Sequence, residues 1–416
     1  MSDKTNQHTH YYKWLIVVSS FFMQFIGWGT NVTFGIFLIP VSLEFSLSRT
    51  AISGAYTFGT ILRGVLNLFA GKMNDRYGPR VLVIVFGSFI GIGYLLLSQM
   101  GALWQLYIFY GVFVSMGMSV TFVPLATTVA TWFRVKRGMA TAIFLSGASL
   151  GGLILAPLTS RLITAYGWRN SYVFIGIISL VIVLFWGLFL KRGPQYTDAT
   201  IVSAVTSSQD DSSRERGISL KTVVWTEHFW VLCAIMFCSF FCHFTVLVHV
   251  VSHSIDLELP ARSAATILAT CTGMAIPGRV LIGAAADRIG NRQVLMICFG
   301  ILALDFLWLL QARGFWPLFV FAVVFGLAAS VSVVLSSPIV AEMYGLGAHG
   351  AILGAVMVSG TTGGAVGPLL AGYIFDTTGD YRVVIAICSS LCVTAMVLTM
   401  LLDRRRMRKK NHTAEQ

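Results

Sequence analysis

Two arginines stand inside long apolar runs: Arg279 in "TGMAIPGRVLIGAAADRIGNR" and Arg63 in "TFGTILRGVLNLFAGKMNDR". A guanidinium stays charged at any accessible pH and can grip a carboxylate through two parallel hydrogen bonds. Counted back along a helix from Asp287, Arg279 lies about 12 Å deep, and Arg63 lies about 18 Å before Asp75. Neither depth suits an interfacial anchor, even with snorkelling. Turning either cation toward lipid would cost at least about 2.5–3.5 kcal/mol, so each must face a cavity or a partner. Asp305 is the only Asp or Glu well inside an apolar run. At least one arginine therefore lacks a counter-ion within the chain, and a carboxylate ligand would supply it. The structural alternative is a guanidinium held by backbone carbonyls. For Arg63, a bond to a broken helix or to Asp305 competes on equal terms with ligand contact.

Histidines are the next candidates. His243 falls near the middle of the seventh apolar run, and His249 and His253 sit one turn apart nearer its far end. Imidazole titrates near physiological pH, so His249 and His243 are the proton-coupling candidates, against the plainer role of hydrogen-bonded core residues. Asn31, Tyr56, Asn67, Ser119 and Ser332 are polar groups near mid-run that could line a cavity. No nucleophile and base set and no metal-ligand constellation occurs within the runs, so an enzyme is not expected. No cofactor is expected beyond a proton as coupling ion.

The elements that must position these groups are transmembrane helices. The 416 residues are 56% hydrophobic and 11% charged, and apolar runs of bilayer-spanning length recur twelve times, from 14–39 to 382–402. An all-α polytopic membrane protein is expected. The first run is longer than a signal-peptide core and lacks a small-residue cleavage site. All seven cysteines lie within runs and read as small core residues.

The net charge of +12 is unevenly placed. Of 29 Lys and Arg, six (Arg49, Arg161, Arg169, Arg262, Arg313, Arg382) fall on the side away from the termini and two within runs; the rest lie on the side bearing both termini. This positive-inside bias predicts cytoplasmic termini in a plasma membrane, and the short loops point to a bacterial inner membrane. Lipid accounts for the basic tail at 403–416, and no nucleic acid or obligate protein partner is inferred.

The polar interval 192–227 divides the chain into two six-helix bundles, 1–191 and 228–402, joined by a cytoplasmic linker with a short amphipathic turn near Leu220. The halves repeat one another. "GKMNDRYGPR" from Gly71 and "GAAADRIGNR" from Gly283 share G-x-x-x-D-R-x-G-x-R at an offset of 212. Glycine-rich stretches from Ser146 and Ser359 occupy the fifth and eleventh runs. Duplication of a helical unit follows. The repeated loop predicts a conformational latch made of Gly71, Asp75, Arg76, Gly78, Arg80, Gly283, Asp287, Arg288, Gly290 and Arg292, in which Asp pairs with Arg at a helix end and Gly allows the tight turn.

With the doubled loop motif, the chain resembles the major facilitator superfamily over essentially its whole length. Within it, "TFGIFLIPVSLEFSLSRTAIS", "TWFRVKRGMATAIFLSGASLGG" and "VLVHVVSHSIDLELPARSAATILATCTGMAIPGRVLIGAAADRIG" are similar to the monocarboxylate porter family, bacterial members above all, with the oxalate:formate antiporter as a relative. The resemblance implies two pseudosymmetric bundles, alternating access, and substrate-carboxylate binding by the helix 8 arginine, here Arg279. The animal members' Asp one turn before that arginine is Ala275 here, and their acidic motif opening helix 1 is replaced by "YYKW".

The expected function is secondary transport of small monocarboxylates such as lactate, pyruvate or acetate, with proton symport. Arg279, Arg63, His249, Asn31 and Tyr56 are the expected substrate-binding residues. An organic-anion antiporter is the alternative, and a transporter-like membrane sensor a remote one.

Overall fold

The computed structural model describes residues 2–133, 137–192, 220–344 and 349–402. Helix 1 is Ser2–Val32, continued past Thr33 by Phe34–Phe45. Helix 2 is Arg49–Tyr77, and helix 3 is Pro79–Ser98. Helix 4 covers 103–132, with a π-helical stretch at Tyr107–Val114 and a break before Val123–Trp132. Arg137–Gly187 bends at Gly167 (φ 78°, ψ 164°) into helix 5, 137–166, and helix 6, 168–187.

In the second half a short helix, Leu220–Val223, precedes helix 7, Glu227–Asp256. Helix 8 comprises Ala261–Gly273 and Ala275–Ile289, and helix 9 is Asn291–Gln311. Helix 10 comprises Phe315–Ala328 and Val331–Tyr344; helices 11 and 12 are His349–Thr378 and Arg382–Leu401.

Among the described residues, ten segments are long and apolar enough to cross a bilayer by length and composition. One of them contains the Gly167 bend and is two rods; helix 2, which carries Arg49, Arg63, Lys72, Asp75 and Arg76, completes twelve. The described residues form no strand. Outward-facing apolar side chains such as Val181, Leu304 and Trp316 are more than half exposed, as a lipid-facing surface requires.

The two halves pack alike. Helix 1 lies on helix 5, and helix 7 on helix 11. A Cβ added to Gly151 would fall 2.2 Å from the Phe25 carbonyl oxygen, and one added to Gly363 would fall 2.2 Å from that of Phe237. Both pairs are related by the same 212-residue offset as the loop motif, so small residues create the same close helix contact twice. Gly78 (φ 84°) and Gly290 (φ 92°) are likewise equivalent, and each turns the chain sharply between consecutive helices in a region that favours glycine.

Tyr12 donates to the Phe189 carbonyl (2.6 Å), which places the start of helix 1 beside the end of helix 6 at the terminal end of the molecule. At the opposite, distal end, Arg169 pairs with Glu44 (2.7 Å).

Candidate functional site

Arg63 is 8% exposed. Its guanidinium stands 4.9 Å from the Trp28 ring centroid, and Nη1 donates to the Met118 sulfur at 3.2 Å. Helices 1, 2 and 4 thus enclose it with a π face and a polarizable sulfur rather than with a carboxylate. Beside it, Asn31 Nδ2 donates to the Tyr110 hydroxyl (2.8 Å), while Tyr56 donates to Asn31 Oδ1 (3.3 Å). Phe34 packs on both phenols, at 5.2 Å from Tyr56 and 4.6 Å from Tyr110. Tyr110 lies within the π-helical stretch, whose widened turn alters which side chains helix 4 directs at helix 1. The structure therefore brings Arg63, Asn31 and Tyr56 together. Tyr110, Trp28 and Met118 are additions that the sequence pattern does not single out.

Helix 7 joins this cluster to the other half. Phe244 lies 6.3 Å from Trp28 and 6.4 Å from Tyr56. Its neighbour His243 stacks on Phe325 of helix 10 (5.9 Å, 15° between planes), and His243 Nδ1 is buried without a hydrogen-bond partner. The charge of Arg279 is felt at the same imidazole.

Arg279 reaches across from helix 8 to helix 5. Nη1 donates to the Leu145 carbonyl at 3.4 Å, a long bond, and Nε is buried with no partner. None of the ion pairs among the described residues includes Arg279 or Arg63. Helix 8 breaks at Met274, and Pro277 removes one backbone donor from the turn leading to Arg279.

His249 is placed elsewhere. It belongs to a network that joins the halves at the distal end. Arg49 at the start of helix 2 grips Asp256 through Nη1 and Nη2, both at 2.7 Å, and also donates to the Tyr381 hydroxyl at 2.7 Å. Its guanidinium lies 3.6 Å from the Phe375 ring centroid. Asp376 of helix 11 accepts from the backbone N–H groups of Arg49 (2.9 Å) and Thr50 (2.7 Å), and from the Thr50 hydroxyl. A carboxylate from one half thereby caps the N-terminus of a helix in the other.

With Arg49 donating to it, the Tyr381 hydroxyl is free to donate to His249 Nδ1 (2.9 Å), which leaves His249 Nε2–H to donate to the Pro368 carbonyl (2.9 Å). Ser53 Oγ lies 3.3 Å from the same Nε2. His249 is 3% exposed. A cavity of about 30 Å³ beside it is lined mostly by apolar groups of helices 7, 9, 10 and 12, and its lining includes neither deep arginine.

At the terminal end the repeated loop is only partly described. The side chains of Gly71 and Asp75 lie outside the described residues. Arg76 stands 5.3 Å from the Tyr77 ring centroid, and Arg80 is exposed. In the second copy Asp287 and Arg288 are exposed and enter none of the ion pairs among the described residues, and Gly283 has open space around it. Arg292 does bind a helix end: Nε donates to the Thr399 carbonyl at 3.0 Å and Nη2 to that of Met400.

Two duplicated six-helix units around deep cations, joined at one end, have the architecture of a membrane transporter. The chain belongs to the Major Facilitator Superfamily, whose model matches residues 17–304 and 264–416. It is similar to monocarboxylate transporter 13 of Rattus norvegicus, 25% identical over 374 residues covering 88% of this chain and 83% of that protein. It is also similar to the uncharacterized MFS-type transporter YcxA of Bacillus subtilis, 24% identical over 414 residues, 96% of this chain and 98% of the relative.

Among solved structures, it resembles a bacterial homolog to the human lysosomal transporter Spinster in an inward-facing and occupied conformation. That match has a TM-score of 0.77 at 14% identity and covers 95% of this chain and 97% of the other. The D-xylose-proton symporter shares the fold at a TM-score of 0.75 and 13% identity, covering 93% and 97%. The protein is an integral membrane transporter and not an enzyme.

Proposed function

We propose that this transporter moves small monocarboxylates of the lactate, pyruvate and acetate kind by proton symport, with Arg279 as the ligand for the substrate carboxylate. One observation carries the reading. Among the described residues, Arg279 lies at the seam between the halves with no carboxylate partner and with only a 3.4 Å bond to Leu145 to give up. The naming of relatives as monocarboxylate transporters supports the same substrate class.

A substrate carboxylate would replace that long bond with two charge-assisted ones, worth about 1.5–3 kcal/mol each net of hydration. Because Arg279 and Leu145 belong to different halves, exchanging one bond for the other changes what holds the halves together at the substrate's level. Asn31, Tyr56 and Arg63 form the opposite wall. His243, open at Nδ1 and within reach of the Arg279 charge, is the coupling candidate nearest the substrate; His249 acts at the distal gate. The orientation that goes with this reading puts both termini and the repeated loops in the cytoplasm of a bacterial cell and the Arg49 gate on the outside.

Anion exchange is the second reading. It is favoured by two deep cations without carboxylate partners among the described residues, and by Ala275 standing where animal porters have an acid. The test is uptake of labelled lactate, pyruvate, acetate and oxalate into proteoliposomes, with and without an inward proton gradient. Gradient-driven monocarboxylate uptake supports symport. Oxalate exchange indifferent to the gradient would replace it with the antiporter.

A further inference from the structure

Asp305 lies in the middle of helix 9 and is 5% exposed. Its Oδ2 is enclosed and accepts no hydrogen bond. The ion pairs among the described residues lie at the distal end and do not include it.

The helices packed against helix 9 bring it no cation. From helix 8 the ionisable neighbour is the buried Cys271 thiol. From helix 12, Ser389 spends its hydroxyl on the Ala303 carbonyl at 3.0 Å. Helix 10 contributes Phe321 and Phe325, whose rings lie 6.0 and 6.1 Å from that of the adjacent Phe306. His243 of helix 7 lies against the Phe325 ring as well.

The charged groups of these helices lie elsewhere, with Asp287 and Arg288 exposed at the terminal end of helix 8. Arg279 turns to Leu145, Arg292 to Thr399, and Arg382 to Asp380, while Glu342 accepts from Asn291. An ionised carboxylate at this place would have no cation beside it and no donor at its buried Oδ2, which a protein interior strongly disfavours. A neutral carboxylic acid forgoes only hydrogen bonds, a much smaller penalty. The acid also sits against helix 8, which breaks at Met274 and carries Arg279 two turns beyond Cys271. Movement of helix 8 would change what Asp305 faces.

We propose that Asp305 is a proton-binding site: a neutral carboxylic acid in this distally closed state that releases and regains its proton as helix 8 rearranges, carrying the coupling proton within the second half. The step is a single O–H ionisation, with the proton leaving to water and no other bond changing. Its role in coupling rests on the symport reading, whereas the proton on Asp305 does not.

The test uses the full chain in lipid bilayers. Infrared spectra at neutral pH should show the carbonyl stretch of a protonated carboxylic acid, lost in Asp305→Asn and kept, shifted, in Asp305→Glu. In proteoliposomes, Asp305→Asn should retain exchange of labelled for unlabelled lactate while gradient-driven lactate accumulation falls about tenfold or more. Asp305→Glu should retain both. Identical carbonyl bands in wild type and Asp305→Asn would overturn the proton site, and undiminished gradient-driven accumulation in Asp305→Asn would overturn its coupling role. A band lost in Asp305→Asn together with a wild type that ignores lactate would uphold the site and remove the substrate reading instead.

Discussion

Helices 2 and 8 are the same element used twice, and each carries one deep arginine, but one turn apart. The 212-residue offset maps Arg63 onto Ala275, and Arg279 onto Asn67. In the first half the cation is enclosed, with a π face at 4.9 Å and a sulfur at 3.2 Å, among Tyr56, Tyr94 and Tyr110, which are all buried. In the second half Arg279 has a buried Nε without a partner and a single long bond to a backbone carbonyl of the other half. The difference separates two uses of the same charge. Arg63 is committed to the packing of its own bundle, whereas Arg279 is uncommitted and stands where the bundles meet.

The largest effect should come from Arg279→Lys. A point charge cannot reproduce two parallel bonds, so monocarboxylate uptake should fall about 100-fold while yield and monodispersity in detergent stay at wild-type levels. Arg63→Lys sharpens the contrast. It keeps the charge but loses the planar stack on Trp28, and its main cost should be stability, about 1–2 kcal/mol, read as a lower melting temperature with transport reduced only several-fold. A larger transport defect in Arg63→Lys than in Arg279→Lys would reverse the assignment of the two arginines.

Arg49→Gln breaks the distal closure without touching either deep arginine. The Asp256 pair is partly exposed, with side chains 12% and 31% accessible, so a discounted shift of about threefold to tenfold toward distal opening is expected. Spin labels on Leu43→Cys and Glu258→Cys should show a longer distance component in Arg49→Gln; the native cysteines are all buried and should label slowly. The smallest effect belongs to Tyr110→Phe. It removes one hydrogen bond to Asn31 and should cost about 0.5–1.5 kcal/mol, seen as a severalfold rise in KM rather than loss of turnover.

The architecture was legible because duplication leaves the same signals at one offset. Gly78 and Gly290 share a positive φ, and Gly151 and Gly363 meet equivalent carbonyls. Arg279 stands out for a different reason: charges are scarce inside apolar runs, and Asp305 is the only carboxylate well inside one.

The remainder depends on contacts between residues far apart in the chain. Arg49 read only as one of a few positive charges on the less basic side, and nothing local tied it to Asp256, 207 positions away. Tyr110 was one aromatic among many until a π-helical stretch aimed it at Asn31. The sequence places His249 beside the substrate because residue counts give depth along a helix and not direction around it. Here it bonds to Tyr381 and Pro368 in the distal network. The ion pairs among the described residues do not include Asp287 or Arg288 of the repeated loop.

The central claim is that Arg279 binds a carboxylate, and binding itself tests it most directly. Calorimetric titration of the purified transporter with lactate and with its uncharged amide, lactamide, in wild type and Arg279→Lys separates charge recognition from shape. The account predicts that wild type binds lactate at least about tenfold more tightly than lactamide, and that Arg279→Lys loses most of this preference. Equal affinity of wild type for the two compounds, or an undiminished preference in Arg279→Lys, would contradict it.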